Sequence, residues 1–417
     1  MRIAFLSASG QLGGAETCLL DMIASLRAAA PDWPLLLVTA ADGPLVARAQ
    51  ALGAAVAVVP FPAAVARLGE SGFEASGGPA RFAAQIGLAV GPIAGYASTL
   101  GHALAPFGPD LVHTNGLKMH LLGAYAADAP IVWHVHDYLG RRRVSSRLLR
   151  WNAGRCAAVI ANSDSVAADV RAALGDGVSV TRMYNAVDLA RFSPTGDALD
   201  LDRRSGLPAA AAGTVRVGLL GTFARWKGHE TFLRAIAVLP ASLPVRAYVI
   251  GGPVYQTDGS QYAIDELRDA ADRLGVAPRV GFAGIVDRPD AALRALDVAV
   301  HASTAPEPFG LVIAEAMACG RAVVVSGAGG AAELVTPGVD ALVHAPGDAE
   351  ALATAIRTLA ADPTRRAALG AAARATALRR FDRARLATEL MRIYEAAGSP
   401  LSAVSRPESR KPIADSR

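Results

Sequence analysis

Thirteen short apolar runs, separated by longer alanine-rich stretches, divide this chain from end to end. In the first half they are Ile3–Ala8, Leu35–Thr39, Ala55–Pro60, Asp110–Thr114, Ile131–His134, Ala157–Ala161 and Val178–Met183. In the second they are Val215–Gly221, Val245–Ile250, Val280–Ala283, Val298–Ala302, Ala322–Val325 and Ala341–Val343. Near-continuous apolar runs are the mark of strands buried on both faces, and the stretches between them have helical length. The pattern predicts an α/β chain of parallel sheets covered on both sides. With 52% hydrophobic and 19% charged residues in 417, there is apolar surface enough for two cores.

Between the two groups lies Leu189–Gly213, rich in Pro, Gly and Asp and without a sustained apolar period. The expected organisation is a doubly wound domain over residues 1–188, a linker at 189–213 that includes Asp200-Leu201-Asp202, and a second doubly wound domain over 214–382. An amphipathic helix at 383–397 is expected to pack back towards the first domain, followed by a disordered tail at 398–417. Open parallel sheets bind ligands beyond the carboxyl ends of their strands, so two facing domains place a site in the cleft between them.

Cys18, Cys156 and Cys319 are too few and too scattered for a disulfide framework or a zinc site, and the opening MRIAFLSASG lacks the parts of a signal peptide. The expectation is a cytoplasmic protein without a metal site. A net charge of +4 suits anionic small molecules or an anionic surface, and no nucleic-acid reader motif accompanies it. Phe82 to Pro109 contains no Asp, Glu, Lys or Arg, but Gly and Pro interrupt it, which favours a buried or interfacial helix pair over a membrane span. Of 41 basic residues only Lys118, Lys227 and Lys411 are lysine, a hint that a compact ammonium was wanted where they fall in loops.

Three loops suit an anion. After the first run, Gly13 and Gly14 let backbone amides approach a ligand at a helix start, where partial positive charge accumulates. The spacing is neither GxGxxG nor a P-loop, which counts against nicotinamide and nucleoside-triphosphate sites. After Val215–Gly221, Arg225 and Lys227 are placed to neutralise a leaving diphosphate. After Val298–Ala302 comes Glu307, then a helix opening near Gly310, whose first amides (Gly310, Leu311, Val312) are free for a diphosphate, with Glu315 about one turn on. Two acceptor-only carboxylates match the hydroxyls of a sugar nucleotide. In the first half, Asp137 is expected to orient His136 for hydrogen bonding to a sugar or for proton transfer. Asn115 and Lys118 are expected to frame an acceptor pocket. Arg141, Arg142, Arg143, Arg147 and Arg150, interleaved with Leu148, Leu149 and Trp151, read either as a basic interfacial helix for anionic lipid or as a solvated face with Leu149 and Trp151 packed inward.

Taken in order, the loop ending Gly13-Gly14-Ala15-Glu16, the strand-end His136, the Gly-x5-Lys-Gly loop from Gly221 to Gly228 and the E-x7-E signature from Glu307 to Glu315 resemble the retaining glycosyltransferases of family 4. The resemblance covers about residues 1–397. It implies the GT-B fold, two Rossmann-like domains facing a central cleft. It also implies a nucleotide-diphosphate sugar as substrate, no cofactor and no metal, and a glycan or lipid-linked acceptor; the basic segment and the uncharged stretch, rather than the resemblance, point to the inner face of the plasma membrane. Lys227 and Arg225 would hold the phosphates, Glu307 the donor sugar and Glu315 the ribose. Gly284 and Ile285 would lie along the base, Gly13 and Gly14 by the phosphate or sugar, and His136 by the sugar's hydroxymethyl side. One departure stands out: Thr222 occupies the position where many members carry Arg, so either Arg225 substitutes for it or the phosphates are less fully neutralised. A sugar-nucleotide epimerase or hydrolase of the same fold, and a non-catalytic nucleotide- or glycan-binding protein, remain alternatives at this level.

Overall fold

The structure, a computed structural model, describes residues 1–66, 78–253 and 260–398. Each of the thirteen runs forms a strand. The first sheet holds β1 (Ile3–Ser7), β2 (Leu35–Thr39), β3 (Ala55–Val58), β4 (Leu111–Asn115), β5 (Ile131–Val135), β6 (Ala158–Ala161) and β7 (Val180–Arg182), in the order β3-β2-β1-β4-β5-β6-β7. The second holds β8 (Val215–Leu220), β9 (Val245–Ile250), β10 (Val280–Gly284), β11 (Val298–His301), β12 (Ala322–Ser326) and β13 (Leu342–His344), in the order β10-β9-β8-β11-β12-β13. Every pairing is parallel. All residues of β1, β2, β4, β5 and β6 are buried, which is why these runs carry no polar alternation. The result is two Rossmann-like α/β domains.

In each sheet the strand order reverses beside the first strand, between β1 and β4 and between β8 and β11. Connections leave these neighbours in opposite directions and open a crevice at their carboxyl ends. The loops bearing Gly13, Lys227 and Glu307 follow β1, β8 and β11, and Asn115 ends β4, so topology alone gathers the residues of each sheet at its crevice.

The chain crosses between domains twice, and the two crossings pair: Val187 N–H donates to Phe381 O (2.7 Å) and Arg383 N–H to Val187 O (3.2 Å). The Arg383 guanidinium bridges Asp21 (3.3 Å) and Asp188 (3.0 Å). The helix Arg385–Gly398 buries Leu386, Leu390, Ile393 and Tyr394 against the first domain's core.

Within residues 189–213, Phe192 and Leu201 are buried in the second domain's core, and Leu201–Arg204 is helical. Buried Asp202 accepts hydrogen bonds from Arg216 (3.0 Å), Arg246 (2.6 Å) and Tyr248 (2.6 Å). Burial would raise its carboxyl, but these donors outweigh it and hold the group well below the usual carboxylate range. The uncharged stretch forms one helix, Gly78–Leu104, with Pro92 inside it, rather than a helix pair. Among the described residues no helix is long and apolar enough to cross a membrane. The expected tail lies, beyond Gly398, outside the described residues.

Candidate active site

The second domain supplies a carboxylate, an ammonium and a helix start. Gly310 has φ +91°, a left-handed turn that suits glycine, and it caps the helix Leu311–Ala318. Among the described residues no acceptor takes the amides of Gly310, Leu311 or Val312. The partial positive charge of the helix start is therefore available to a ligand. Glu307, 6% exposed, sits just before it. Lys227 reaches it from the loop after β8, with Nζ 2.7 Å from Oε2 and 2.9 Å from Oε1. That approach needs Gly228: at φ +78°, a Cβ there would lie 1.8 Å from Ala302 O at the end of β11. Burial alone would raise the Glu307 carboxyl. The Lys227 charge and the hydrogen bonds from His301 and Lys227 prevail and hold it well below the carboxylate range.

Glu315 lies deeper on the same helix and makes no side-chain hydrogen bond among the described residues. Burial, with the Asp21 charge of the first domain facing it, pushes its carboxyl up to about 7. At the end of β10, Gly284 (φ +69°) is followed by Ile285, an apolar side chain 59% exposed, while Arg204 Nε holds the strand end through Ala283 O (2.7 Å). Arg225 does not join the Lys227–Glu307 pair. Its guanidinium is committed to Glu266 (2.8 Å) and to the Tyr262 ring face (4.4 Å).

The first domain carries glycines, an amide and an imidazole at the carboxyl ends of its strands. A Cβ on Gly14 would meet nothing within 4 Å, and Gly13 N–H is held by Glu16 Oε2 (3.1 Å). The expected Asp137–His136 pair is corrected. Asp137 accepts from Tyr138 N–H (2.8 Å) and pairs with Arg142 (3.3 Å), whereas His136 Nε2 bonds Asn115 Oδ1 at 2.6 Å. Asn115 Nδ2 donates to Ala15 O (3.3 Å), so Oδ1 must face the imidazole and Nε2 carries its proton. Burial lowers His136 to about 4, leaving a neutral ring with Nδ1 as an acceptor. Lys118 points into its own domain, donating to Ala66 O and lying over the Phe61 ring at 5.4 Å.

The basic segment divides. Arg141 crosses the cleft and donates to Pro306 O (3.2 Å), beside Tyr138, whose hydroxyl donates to Glu307 O (3.3 Å). Arg143 opens the helix Arg143–Asn152, on which Leu149 is fully buried but Trp151 is 82% exposed. The inward-packing alternative therefore holds for Leu149 and fails for Trp151. Arg147 and Arg150 are exposed on this helix, and no acid pairs with either among the described residues. A second bridge closes the cleft: Glu333 accepts from the amides of Ser165 (2.7 Å) and Asp164 (2.8 Å) at the start of the helix Asp164–Leu174.

A family model described as Glycosyltransferase Family 4 matches residues 12–191, and one described as Glycosyl transferases group 1 matches residues 214–362. The D-inositol 3-phosphate glycosyltransferase of Xylanimonas cellulosilytica is 33% identical over 312 residues, 69% of this chain and 72% of that protein. This chain belongs to the family 4 glycosyltransferases. The lipopolysaccharide core biosynthesis mannosyltransferase LpcC of Rhizobium leguminosarum is 36% identical over 216 residues, 51% of this chain and 57% of that protein. With that relative, as with others, the match spans only about half the length of the curated protein. Anabaena Alr3699/HepE, solved in complex with UDP-glucose, has the same GT-B fold, with a TM-score of 0.77, 29% identity and coverage of 94% of this chain and 98% of that one.

In this glycosyltransferase the fold brings together Lys227, Glu307, Gly310, Leu311 and Val312. Asn115 and His136 are joined as a second group in the first domain. It separates Arg225 and Lys118 from them. Sequence reasoning gave no role to His301, Ser303, Tyr138 or Glu333. The signal for His301 and Ser303 was present, since two polar residues end an otherwise apolar strand run.

Proposed function

We propose that this glycosyltransferase moves a hexosyl group from a nucleotide-diphosphate sugar to a glycan or lipid-linked acceptor, with retention and without a metal. The observation that carries the reading is the Lys227–Glu307 pair beside an unfilled helix start at the crevice of the second sheet. The amides of Gly310, Leu311 and Val312, with Lys227, supply the positive charge that a diphosphate needs. Glu315 then takes ribose hydroxyls, the Gly284-Ile285 ledge the base, and Glu307 a hydroxyl of the donor sugar. Gly13, Gly14 and His136 close over that sugar from the first domain. In the transfer, the bond from the anomeric carbon to the phosphate oxygen breaks. A bond to the acceptor oxygen forms on the same face, and the acceptor proton passes to the leaving phosphate. The likeness to a protein solved with UDP-glucose makes a uridine nucleotide the first candidate.

The acceptor side supports work at an anionic membrane face. Trp151 stands in solvent beside exposed Arg147 and Arg150, which no acid pairs among the described residues, an amphipathic pattern that suits lipid headgroups.

Thermal-shift screening with UDP-, GDP- and ADP-sugars identifies the donor, because a ligand of the native state alone raises the melting temperature. Transfer then continues in excess chelator and is abolished in Lys227→Ala and in Glu307→Gln. Unchanged turnover in either variant overturns the assignment. Donor consumption that is indifferent to any acceptor points instead to a hydrolase or epimerase.

A further inference from the structure

The two oxygens of Glu307 are held unequally. Oε2 accepts from Lys227 Nζ (2.7 Å) and Ser303 Oγ (2.9 Å) and takes the weaker branch of a proton that His301 Nε2 (3.2 Å) shares with Ser303, whereas among the described residues Oε1 meets only Lys227 Nζ (2.9 Å). A carboxylate oxygen offers about two lone-pair sites, so Oε2 is saturated and Oε1 keeps one open. Ser303 has a single hydroxyl proton. An ionised carboxylate only accepts, so that proton goes to Glu307, and the single His301 Nε2–H is bifurcated between Ser303 Oγ (2.9 Å) and Glu307 Oε2 (3.2 Å). The enclosed His301 Nδ1 has no partner among the described residues, in keeping with a bare lone pair in that tautomer. The backbone beneath is pinned as well: Ser326 Oγ donates to Ser303 O (2.6 Å), and His344 Nε2 lies 3.3 Å from His301 O.

We infer that His301 and Ser303 are positioning residues for transfer: they fill Oε2 of Glu307 and so present Oε1 alone to a hydroxyl of the donor sugar. This rests on the reading of Glu307 as the donor-sugar contact. The need for such a device follows from Lys227, which serves Glu307 here and must share its protons with an arriving diphosphate. As it does so, the buried carboxylate keeps two donors that do not move, and stays oriented.

The experiment compares Ser303→Ala and His301→Leu with the conservative Ser303→Thr and His301→Gln, using UDP and UDP-glucose as probes. Loss of one hydrogen bond to a charged group is expected to lower kcat/KM for transfer by about tenfold to a hundredfold. The affinity for UDP, which has no sugar, stays within about twofold of the parent. The threonine and glutamine variants, which keep a donor near the same place, recover most of the rate. A general structural role would instead depress UDP and UDP-glucose binding together. In ligand-free crystals of Ser303→Ala the Glu307 carboxylate is expected to rotate, a readout that needs no substrate. Parent-like kcat/KM in Ser303→Ala and His301→Leu, or an unrotated carboxylate in those crystals, overturns the inference while leaving the site intact if Glu307→Gln is dead. Full activity in Glu307→Gln overturns the site reading itself.

Discussion

Replacing Lys227 with Met leaves Glu307 buried without its counter-charge. The side chain of Glu307 is 8% exposed and that of Lys227 22%, and the pair loses contacts of 2.7 and 2.9 Å. Removing one partner of a buried ion pair costs about 3–5 kcal/mol. Ser303 and His301 remain, and Lys227 is partly solvated, so roughly 2–3 kcal/mol is expected here. For a domain of this size that corresponds to a fall in melting temperature of about 4–12 °C. The pH dependence carries the sharper test. In the parent, the folded pKa of Glu307 lies below its unfolded value of 4.5, so its contribution is complete above that value and is lost as pH falls below it. In the variant burial prevails, the folded pKa rises above 4.5, and the carboxyl takes up a proton on folding. The variant therefore regains stability on acidification, and the gap to the parent is widest near neutral pH. Scanning calorimetry between about pH 8 and about pH 5 measures it. A gap that does not narrow over that range, or a Lys227→Met/Glu307→Gln double variant no more stable than Lys227→Met, refutes the reasoning.

Three further outcomes follow from the same geometry. Glu333→Ala removes an acceptor from two helix-start amides across the cleft, worth about 1 kcal/mol. Small-angle scattering should show a more open molecule, and donor KM should rise about fivefold. Trp151→Ala should leave the melting temperature and activity on a soluble acceptor unchanged, because the ring is 82% exposed, while weakening sedimentation with anionic vesicles. Glu315, raised from 4.5 to about 7, makes the ligand-free protein lose stability as pH rises through that window and level off above it. Glu315→Gln should make that decline shallower in calorimetry, with the remainder belonging to Asp21, which burial also raises to about 7.

The strands were legible because parallel pairing buries both faces, and an uninterrupted run such as Leu35–Thr39 has no helical or alternating reading to compete with it. Site residues were legible where their role depends on chain-local geometry. Gly310, Leu311 and Val312 are free amides because they begin a helix, and Glu307 precedes them by three residues. The partners of those residues were not legible. Asp137 adjoins His136 in sequence, yet side chains of neighbours in an extended segment point apart, and the imidazole finds Asn115 on the adjacent strand instead. Arg225 stands two residues from Lys227, but the turn between them sends its guanidinium to Glu266.

Local chemistry thus determined which segments pair into sheets, where helices begin, and which loops carry charge. These are decided over a few residues by backbone geometry and hydrophobic period, and a linear string contains both. Tertiary structure alone decided that Lys227 meets Glu307 across 80 positions, that Ser303 and His301 fill one of its oxygens, and that Glu333 bridges to Ser165. The Lys227–Glu307 contact exists because the strand order reverses at β8/β11, which brings the loops after β8 and β11 together. Hydrogen-bond partners are selected by distance in space, which chain separation does not encode.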